Sequence, residues 1–390
     1  MARQNISVIV QEIMKEFARV TGLLPAGAAA RRYLWTDAFA VCNYLGLYRL
    51  TGDEQFLQLA LRLIDQVHET LGRHRADDSR SGWISGLSEE EGRLHPTVGG
   101  LRIGKKMTER KPSDPIDESL EWEQDGQYYH YLTKWMHALD RTRKVSGDPS
   151  FLRWAMELAK TAHARFAYPP QSGGRKRMYW KMSIDLSRPL VQSMGQHDPL
   201  DGLITYGGLC ASVKEAGGSS LPDLTEETHE LAEMCEGKDW ATDDPLGLGE
   251  LLCAAFRAGT LISSGSFPHA GLLPEILDSA LSGLKSFVRR NDLDLPADYR
   301  LAFRELGLAI GLKAAEKLHA LASRGPGSFN ERAAVLPRIA AVMHYMPLAE
   351  SIEAFWIAGV HRKSGSWTAH RDINMVMLAT SLAPEGYLAS

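Results

Sequence analysis

The sequence predicts an all-α protein built from helical hairpins, arranged either as a closed toroid or as an open solenoid. Apolar residues recur at helical spacing in roughly a dozen segments of the chain. Strand signals are rare, and the clearest is the alternation in KRMYWKMSID, residues 176–185, which predicts a small β ribbon. One hairpin pattern also occurs twice, and internal repeats of this kind indicate a repetitive helical architecture.

Each copy of the hairpin pattern has an apolar helix, then a glycine and an aspartate, then a second helix that opens with Phe-Leu. Gly52 and Gly147 suit the left-handed residue that ends many helices. Asp53 and Asp148, which follow them, suit the N-cap of the next helix. The pattern therefore predicts two antiparallel helix pairs, whose glycines are 147 − 52 = 95 residues apart.

A long irregular insertion, residues 72–120, separates the two copies. Hairpins of a solenoid recur every ~34–47 residues, so the longer spacing favours the toroid. Long loops inside compact domains are usually functional or disordered. This one is too apolar for a flexible linker, with Trp83, Ile84, Leu87, Leu94, Val98, Leu101 and Ile103. We expect a single domain, 1–390, in which the insertion folds over the mouth of a central cavity.

Composition argues against several classes of partner. The net charge of −4 comes from 44 basic and 48 acidic residues without a dominant basic stripe, so no nucleic-acid partner is expected. No apolar run approaches the ~18 residues of a membrane span, and no secretory signal is evident, so no membrane partner is expected. Four scattered cysteines suit the cytoplasm. No metal-ligand spacing is found, so no metal and no cofactor are predicted. The oligomeric state stays open.

Polar groups crowd the stretch WEQDGQYYH, residues 122–130. A single N-cap cannot explain Glu123, Asp125, Gln127 and His130 together, and burial of unpaired charge is costly. Asp125 lies 22 residues before its hairpin glycine, and Asp37 lies 15 residues before its own. The difference of 7 residues is about two helical turns, so both aspartates are predicted to lie on the same helix face. We therefore expect this stretch to line the rim of a shared cavity.

Similar polar openings precede other predicted helices, in WTD, GQHDPLDG, PADYR and WTAHRDIN. An aspartate at a helix start is also an ordinary cap. For Asp37, Asp298 and Asp372 the two interpretations stay open. In GQHDPLDG the density of ionisable groups favours substrate contact or proton transfer over a structural turn.

The stretch YLWTDAFAVCNYLGLYRLTGDEQFLQLALRLID resembles a hairpin of the six-hairpin glycosidases. That superfamily of (α/α)6 toroids includes unsaturated glucuronyl and rhamnogalacturonyl hydrolases and N-acylglucosamine 2-epimerases. The resemblance covers the hairpin architecture along most of the chain, and it implies an (α/α)6 toroid with a carbohydrate site in its cavity. It carries no catalytic residue across from one member.

Glycoside cleavage usually needs two carboxyl groups, one of them held protonated by apolar surroundings. We predict Asp125 and Asp198 as this pair, with Glu123 as a substitute for either. Nearby aromatic and polar residues are expected to bind a small carbohydrate, either neutral or anionic. The predicted binding residues are Trp35, Asp37, Trp122, Gln127, Tyr128, His130, His197, Asp201, His370, Arg371 and Asp372.

Three other functions remain open. A hydrolase of unsaturated uronides would use Arg102, Lys105 and Arg371 to bind a substrate carboxylate. A sugar 2-epimerase would move a proton with histidines, for which His130, His197, His361 and His370 are available. A non-catalytic α-toroid would bind a ligand or a partner without turnover.

Overall fold

The computed structural model describes residues 2–25, 30–217, 221–324 and 332–389. They are mostly helical, and the strands are only two or three residues long. The predicted all-α class is therefore confirmed. The chain divides into two compact units, called here the N-terminal unit (Ala18–Glu236) and the C-terminal unit (Met1–Phe17 with Gly237–Ser390). The expectation of one domain spanning 1–390 stays a prediction.

The N-terminal unit contains three helical hairpins. Their helices pair in sequence, and the first helix of each hairpin also packs against the first helix of the next. The hairpins are α2 (Leu34–Thr51) with α3 (Glu54–Leu71), α6 (Tyr129–Ser146) with α7 (Pro149–Phe166), and α8 (Asp198–Glu215) with α9 (Thr225–Cys235). The helices outside the hairpins are α1 (Ala2–Val20) and the short α4 (Glu89–Leu94) and α5 (Glu118–Glu121).

The two repeated hairpins close as the sequence predicts. Gly52 and Gly147 end α2 and α6 in the left-handed conformation, with φ of 70° and 77°. Asp53 and Asp148 then cap α3 and α7, each accepting a hydrogen bond from the main-chain N–H two residues later. The glycine permits the tight reversal and the aspartate satisfies an otherwise free helix donor.

The first and second helices of a hairpin differ in how they are buried. α2 buries thirteen of its eighteen residues, on every side, as expected of a helix surrounded by protein. α3 buries a stripe that includes Phe56, Leu63, Ile64 and Val67 and leaves its other face in solvent. The first helices therefore lie inside this unit, and their N-terminal ends supply the residues discussed below.

Short strands form two small sheets in the same unit. β1 (Gln127–Tyr128), β4 (Lys181–Met182) and β5 (Pro189–Val191) make one sheet in the order β1-β4-β5. β2 (Ala167–Tyr168) pairs with β3 (Arg177–Met178) in the other. Residues 176–185 thus form strands as predicted, although β3 and β4 belong to different sheets and do not pair with each other.

The insertion 72–120 is ordered by specific contacts. Trp83, Leu101 and Ile103 are buried, whereas Leu94 and Val98 are more exposed. Arg73 stacks on the ring of Trp83, with 4.2 Å from the guanidinium carbon to the ring centroid. The expectation that apolar residues order the insertion thus holds for the three buried residues and not for the two exposed ones. Its role as a cover over a cavity stays a prediction.

The C-terminal unit contains most of α1 and the remaining helices. They are α10 (Pro245–Ser263), α11 (Leu272–Arg290), α12 (Ala302–Ala322), α13 (Arg332–Met343), α14 (Met346–Ile357), α15 (Gly365–Ala369), α16 (Arg371–Leu382) and α17 (Glu385–Leu388). The backbones of α10 and α12 are in contact at Gly249 and Gly307. A Cβ on Gly249 would lie 2.0 Å from the carbonyl oxygen of Gly307, so this close approach requires glycine.

Among the helices of the described residues, one, α10, is long and apolar enough to cross a membrane. Its most apolar window is 56% buried inside the protein, as in a core helix. Length and composition alone are therefore weak evidence for a membrane span.

Candidate functional site

The N-terminal unit brings the first turns of three helices together. The hydroxyl of Tyr33, directly before α2, hydrogen-bonds to the hydroxyl of Tyr131 in α6, with 2.6 Å between the oxygens. In the same turn of α6, His130 places Nδ1 3.6 Å from Oδ1 of Asp198, the first residue of α8. Residues that are distant in sequence thus meet at one junction.

An aromatic cluster lies at this junction. Neighbouring rings are tilted or edge to face, with centroids 4.8–6.4 Å apart. Its members are Tyr33, Trp122, Tyr128, His130, Tyr131 and Trp180. Trp122 keeps 49% of its surface exposed, whereas Tyr128 is buried. The cluster therefore offers aromatic surface to solvent on a rigid base.

A small sheet brings Trp180 to the cluster. Tyr128 in β1 lies opposite Lys181 in β4. The buried ammonium of Lys181 donates to the main-chain carbonyls of Glu121 and Gln124, at 2.6 and 2.8 Å, and pairs with the Glu121 carboxylate at 3.1 Å. A buried charge is tolerated when such bonds satisfy it. These bonds hold the chain before β1 against β4.

His130 is neutral at physiological pH. Burial lowers the pKa of its imidazole, and the positive charge of Lys134 acts in the same direction. The negative charge of Asp201 opposes them, and the resulting pKa is about 3. A neutral imidazole still offers one donor and one acceptor nitrogen. His130 is therefore suited to hydrogen bonding with Asp198 or with a ligand, and it is a weak base.

Two features fix the start of α8 beside α6. Asp201 accepts hydrogen bonds from the hydroxyl of Thr133 and from the ammonium of Lys134, the latter at 2.9 Å. Gly195 lies in the loop before α8, close to the carboxylate of Asp198. A Cβ at this position would lie 2.5 Å from Oδ2 of Asp198, so the close approach requires glycine. Asp201, predicted to bind substrate, is thus engaged by α6, and its direct contact with substrate stays a prediction.

Asp125 is surrounded by donors and has no exposed surface. Two guanidinium groups and three main-chain N–H groups point at its carboxylate. Oδ2 accepts from Arg102 at 2.9 Å and Arg75 at 3.2 Å, and Oδ1 accepts from Gly104 at 2.9 Å, Gly126 at 3.1 Å and Lys105 at 3.3 Å. A catalytic acid must carry a proton and reach the substrate. These contacts instead favour a structural role for Asp125.

The position predicted for Asp125 within its helix is wrong. α6 begins only at Tyr129, and Gly126 intervenes with a φ of 150°. Asp37, by contrast, lies in the first turn of α2. The two aspartates therefore share no helix face, because the chain before Tyr129 forms β1 and a glycine turn.

Three other predicted residues are buried by structural contacts. Trp35 is 3% exposed, which leaves no ring face for a ligand. Asp37 accepts a hydrogen bond from the main-chain N–H of Tyr33 at 2.9 Å and pairs with Arg32 at 3.4 Å. Gln127 bonds to three main-chain groups, two in the insertion and one after β4. These contacts favour the capping and packing interpretation.

Glu123 and His197 lie closer to solvent. Glu123 is exposed, and His197 occupies the N-cap position of α8. Burial raises the pKa of Tyr33 to about 12, and the negative charge of Glu123 contributes to that increase. The same charge acts on Tyr128. The charge of Glu123 is therefore felt at the aromatic cluster, and its predicted contact with substrate stays a prediction.

The remaining predicted residues belong to the C-terminal unit, at the start of α16. Arg371 pairs with Glu16 at 2.6 Å and lines a groove of about 620 Å³ together with Trp367. The ring of His370 lies 5.5 Å from that of Phe303. The predicted roles of His370, Arg371 and Asp372 in carbohydrate binding stay predictions.

Sequence reasoning missed three members of the aromatic cluster. Tyr33 lies two residues before Trp35 of the WTD stretch, Tyr131 follows His130, and Trp180 lies in the predicted ribbon. Aromatic residues at helical spacing usually belong to a core, so position alone gave no signal for the first two. Trp180 joins the cluster only through the pairing of β4 with β1.

Comparison with known proteins identifies similar structures but no similar sequences. No protein-family model and no curated protein matches the chain. The GH76A α-1,6-mannanase from Salegentibacter sp. HEL1_6 superposes with a TM-score of 0.52 and 12% identity, over 97% of this chain and 99% of that enzyme. A GH76 α-mannanase from Bacteroides thetaiotaomicron gives a TM-score of 0.52 and 9% identity, over 98% and 97%.

Cellobiose 2-epimerase from Spirochaeta thermophila DSM 6192 also matches, with a TM-score of 0.47 and 14% identity over 90% of this chain and 86% of that enzyme. At the identities of the two mannanases, structural similarity establishes the fold alone. The chain therefore has the all-α fold of the six-hairpin glycosidases, as its sequence predicts.

Proposed function

We propose that this protein is a carbohydrate-active enzyme that hydrolyses a glycosidic bond at the aromatic cluster. The observation that carries the proposal is the junction of three helix starts, where the aromatic cluster lies beside the His130–Asp198 pair. Asp198 and Glu123 are the proposed carboxyl groups. Asp125, the other predicted candidate, is assigned to the structure of the site.

Substrate binding is proposed to use the exposed part of the aromatic cluster. The faces of sugar rings carry C–H groups that pack on aromatic rings, while their hydroxyls need donors and acceptors at the edges. Trp122 is half exposed and contacts Trp180 edge to face at 4.8 Å. Because the rings support one another, they can accept a sugar without losing much side-chain freedom.

Proton transfer is proposed to involve Asp198. Its carboxyl is 7% exposed and lies 3.6 Å from the imidazole of His130. A protonated Asp198 would give its proton to the leaving glycosidic oxygen. Glu123 would then act at the anomeric carbon, either by activating a water or as a nucleophile. The distance of 3.6 Å to His130 is expected to shorten when substrate binds.

Fold similarity adds support of a general kind. An inactive variant of the Salegentibacter mannanase, with two aspartates replaced, forms a complex with α-1,6-mannotetrose. That enzyme shares its fold with this chain at a TM-score of 0.52. Carboxylate-dependent cleavage of glycosides is therefore chemistry that this fold can support.

The low pKa of His130 disfavours the epimerase alternative. A general base works best with a pKa near the working pH, because it must take up and return a proton. At a pKa of about 3, His130 would hold a proton only weakly. We therefore place the carboxylates ahead of His130 as the proton-transfer groups.

Turnover of a substrate panel tests the proposed function. The panel contains aryl glycosides, α-1,6-mannooligosaccharides, unsaturated uronides and cellobiose, with release of reducing sugar or aglycone as the measurement. We expect hydrolysis of at least one class, and a decrease in kcat of about 10²-fold or more in Asp198→Asn. Asp223→Asn, an exposed aspartate before α9, is the matched control and should stay active.

Full activity in a folded Asp198→Asn variant would contradict the assignment of Asp198. Absence of turnover with every member of the panel would contradict the hydrolase proposal and leave the binding-protein alternative. Isotope exchange at C2 of cellobiose in heavy water, without hydrolysis, would instead establish the epimerase.

A further inference from the structure

The groove beside Arg371 belongs to the C-terminal unit and has a mainly apolar lining. Its volume of about 620 Å³ lies within the range of ~300–1,000 Å³ that is usual for small-molecule sites, which are mostly apolar with a few polar groups. The apolar side chains come from α1, α14, α15 and α16; they are Ile9, Ile13, Ile357, Trp367 and Met375. The proposed hydrolysis uses none of them, so the groove needs an explanation of its own.

Aromatic stacking holds the walls of the groove in place. The ring of Trp367 stacks on that of Trp356, with centroids 5.6 Å apart, and the indole N–H of Trp356 donates to Glu305 at 2.8 Å. His361 stacks on Phe355, with centroids 3.7 Å apart and ring planes that differ by 9°. These contacts fix α15 and the segment after α14 before any ligand arrives. A preformed site loses little conformational freedom on binding.

Two cations line the groove without an ion-pair partner among the described residues. They are Arg362 and Lys363, which follow His361 in the short 3₁₀ helix His361–Lys363. Nε of the half-buried Arg362 is itself buried, and no group of the described residues accepts a hydrogen bond from it. Burial of a charged group without a partner is costly, so an anion at this position would stabilise the guanidinium.

The other charged groups of the groove restrict where an anion can bind. Arg371 is already paired with Glu16 at 2.6 Å, which leaves it less available to a ligand. Glu12, one turn before Glu16 on α1, also lines the groove, and its charge would repel an anion placed against α1. An anionic group is therefore directed to Arg362 and Lys363, while the rest of the ligand meets apolar side chains.

We propose that this groove binds a small amphipathic anion, whose carboxylate or phosphate contacts Arg362 and Lys363 and whose alkyl chain packs on the apolar lining. The unpaired cations complement the anionic group, and the apolar lining complements the chain. A sugar ring is a poorer fit, because its hydroxyls would lose hydrogen bonds to water against isoleucine and methionine. The inference concerns a second site, in the unit that does not contain the aromatic cluster, and it is independent of the proposed hydrolysis.

Calorimetric titration of the full chain tests the inference. The probes are decanoate, decyl phosphate, decylammonium, hexanoate and acetate, each kept below the concentration at which it forms micelles. They are titrated into the wild type, Arg362→Met, Lys363→Met, Ile9→Trp and Trp122→Ala. Lys285→Met is the matched control for Lys363→Met, because Lys285 is an exposed lysine of α11 that does not line the groove. Circular dichroism checks that each variant is folded.

We expect decanoate or decyl phosphate to bind with one-to-one stoichiometry and about tenfold more tightly than decylammonium, the value of one charged hydrogen bond. Affinity should rise from acetate through hexanoate to decanoate, by up to about fourfold for each methylene that becomes buried. Arg362→Met should weaken anion binding about tenfold, and Lys363→Met by a smaller factor, because Lys363 is exposed. Ile9→Trp should also weaken it, because the larger ring fills part of the groove. Lys285→Met and Trp122→Ala should match the wild type.

Four results would overturn the inference. The first is binding of decylammonium as tightly as of both anions, and the second is absence of binding for both anions. The third is unchanged anion affinity in both Arg362→Met and Ile9→Trp. The fourth is loss of binding in Trp122→Ala, which would place the ligand at the aromatic cluster. None of these results changes the outcome of the turnover panel, so the proposed hydrolysis and the proposed groove ligand fail independently.

Discussion

Hydrogen-bond partners decide which carboxylates of the N-terminal unit can move a proton. Asp125 accepts from two guanidinium groups and three main-chain N–H groups, and this holds it as a buried anion. Asp198 instead faces His130, whose pKa burial lowers to about 3. The oxygens of Asp125 are therefore committed to internal contacts, whereas Asp198 lies beside a side chain that can both donate and accept a hydrogen bond.

The role assigned to Asp125 predicts a loss of stability in Asp125→Asn. The amide keeps the shape of the side chain but removes the charge that balances Arg75 and Arg102, and it turns a donor toward donors. Removal of one partner from a buried ion pair typically costs about 3–5 kcal/mol of the free energy of unfolding. Urea denaturation followed by circular dichroism measures this change.

Asp77→Asn is the matched control for that variant, because Asp77 pairs with the same Arg75 but is exposed. We expect Asp77→Asn to change the free energy of unfolding by less than about 1 kcal/mol. Equal stability of wild type and Asp125→Asn would show that the network is not structural and would return Asp125 to the catalytic candidates.

At the scale of elements, local rules determine the hairpins. Gly52 and Gly147 adopt the left-handed conformation that ends a helix, and the aspartates after them cap the next helix. Both signals depend on neighbours in sequence, so they could be recognised from the sequence. The junction of α2, α6 and α8 depends on long-range packing, and therefore only individual polar residues of the site could be predicted.

The insertion illustrates the same limit. Its apolar residues indicated an ordered segment, and Trp83, Leu101 and Ile103 are indeed buried. The bonds that direct its cations toward Asp125 join residues about 20–50 positions apart, with Arg75 and Asp125 separated by 50. The sequence does not show which residues these long-range bonds join. Asp125 therefore resembled an unpaired acid, and Arg102 resembled an unpaired cation.

The hairpin rule predicts opposite effects for two glycine-to-alanine substitutions. Gly147→Ala should destabilise the protein by about 1 kcal/mol, because alanine at a φ of 77° is strained although no atom lies within 4 Å of the added methyl group. Gly208→Ala, inside α8 and also in open space, should be neutral or stabilising by up to ~1 kcal/mol. Thermal unfolding of the two variants provides the comparison, and a stabilising Gly147→Ala would contradict the account of the hairpin.

At the scale of the whole molecule, the fold persists where sequence similarity does not. The chain matches two α-mannanases over at least 97% of its length with only 9–12% identity. Apolar periodicity, hairpin glycines and caps are sufficient to specify such an all-α architecture, because each is satisfied by many sequences. The same tolerance explains why the fold could be predicted and the substrate could not.

A carbohydrate is proposed to bind at the aromatic cluster beside Asp198. The most direct measurement is a crystal structure of Asp198→Asn with the best hydrolysed oligosaccharide of the panel. We predict a sugar ring stacked within about 4 Å of Trp122 or Trp180. A glycosidic oxygen should lie within about 3.2 Å of the side chain at position 198. An oligosaccharide bound only in the groove beside Arg371, with the aromatic cluster empty, would contradict the account.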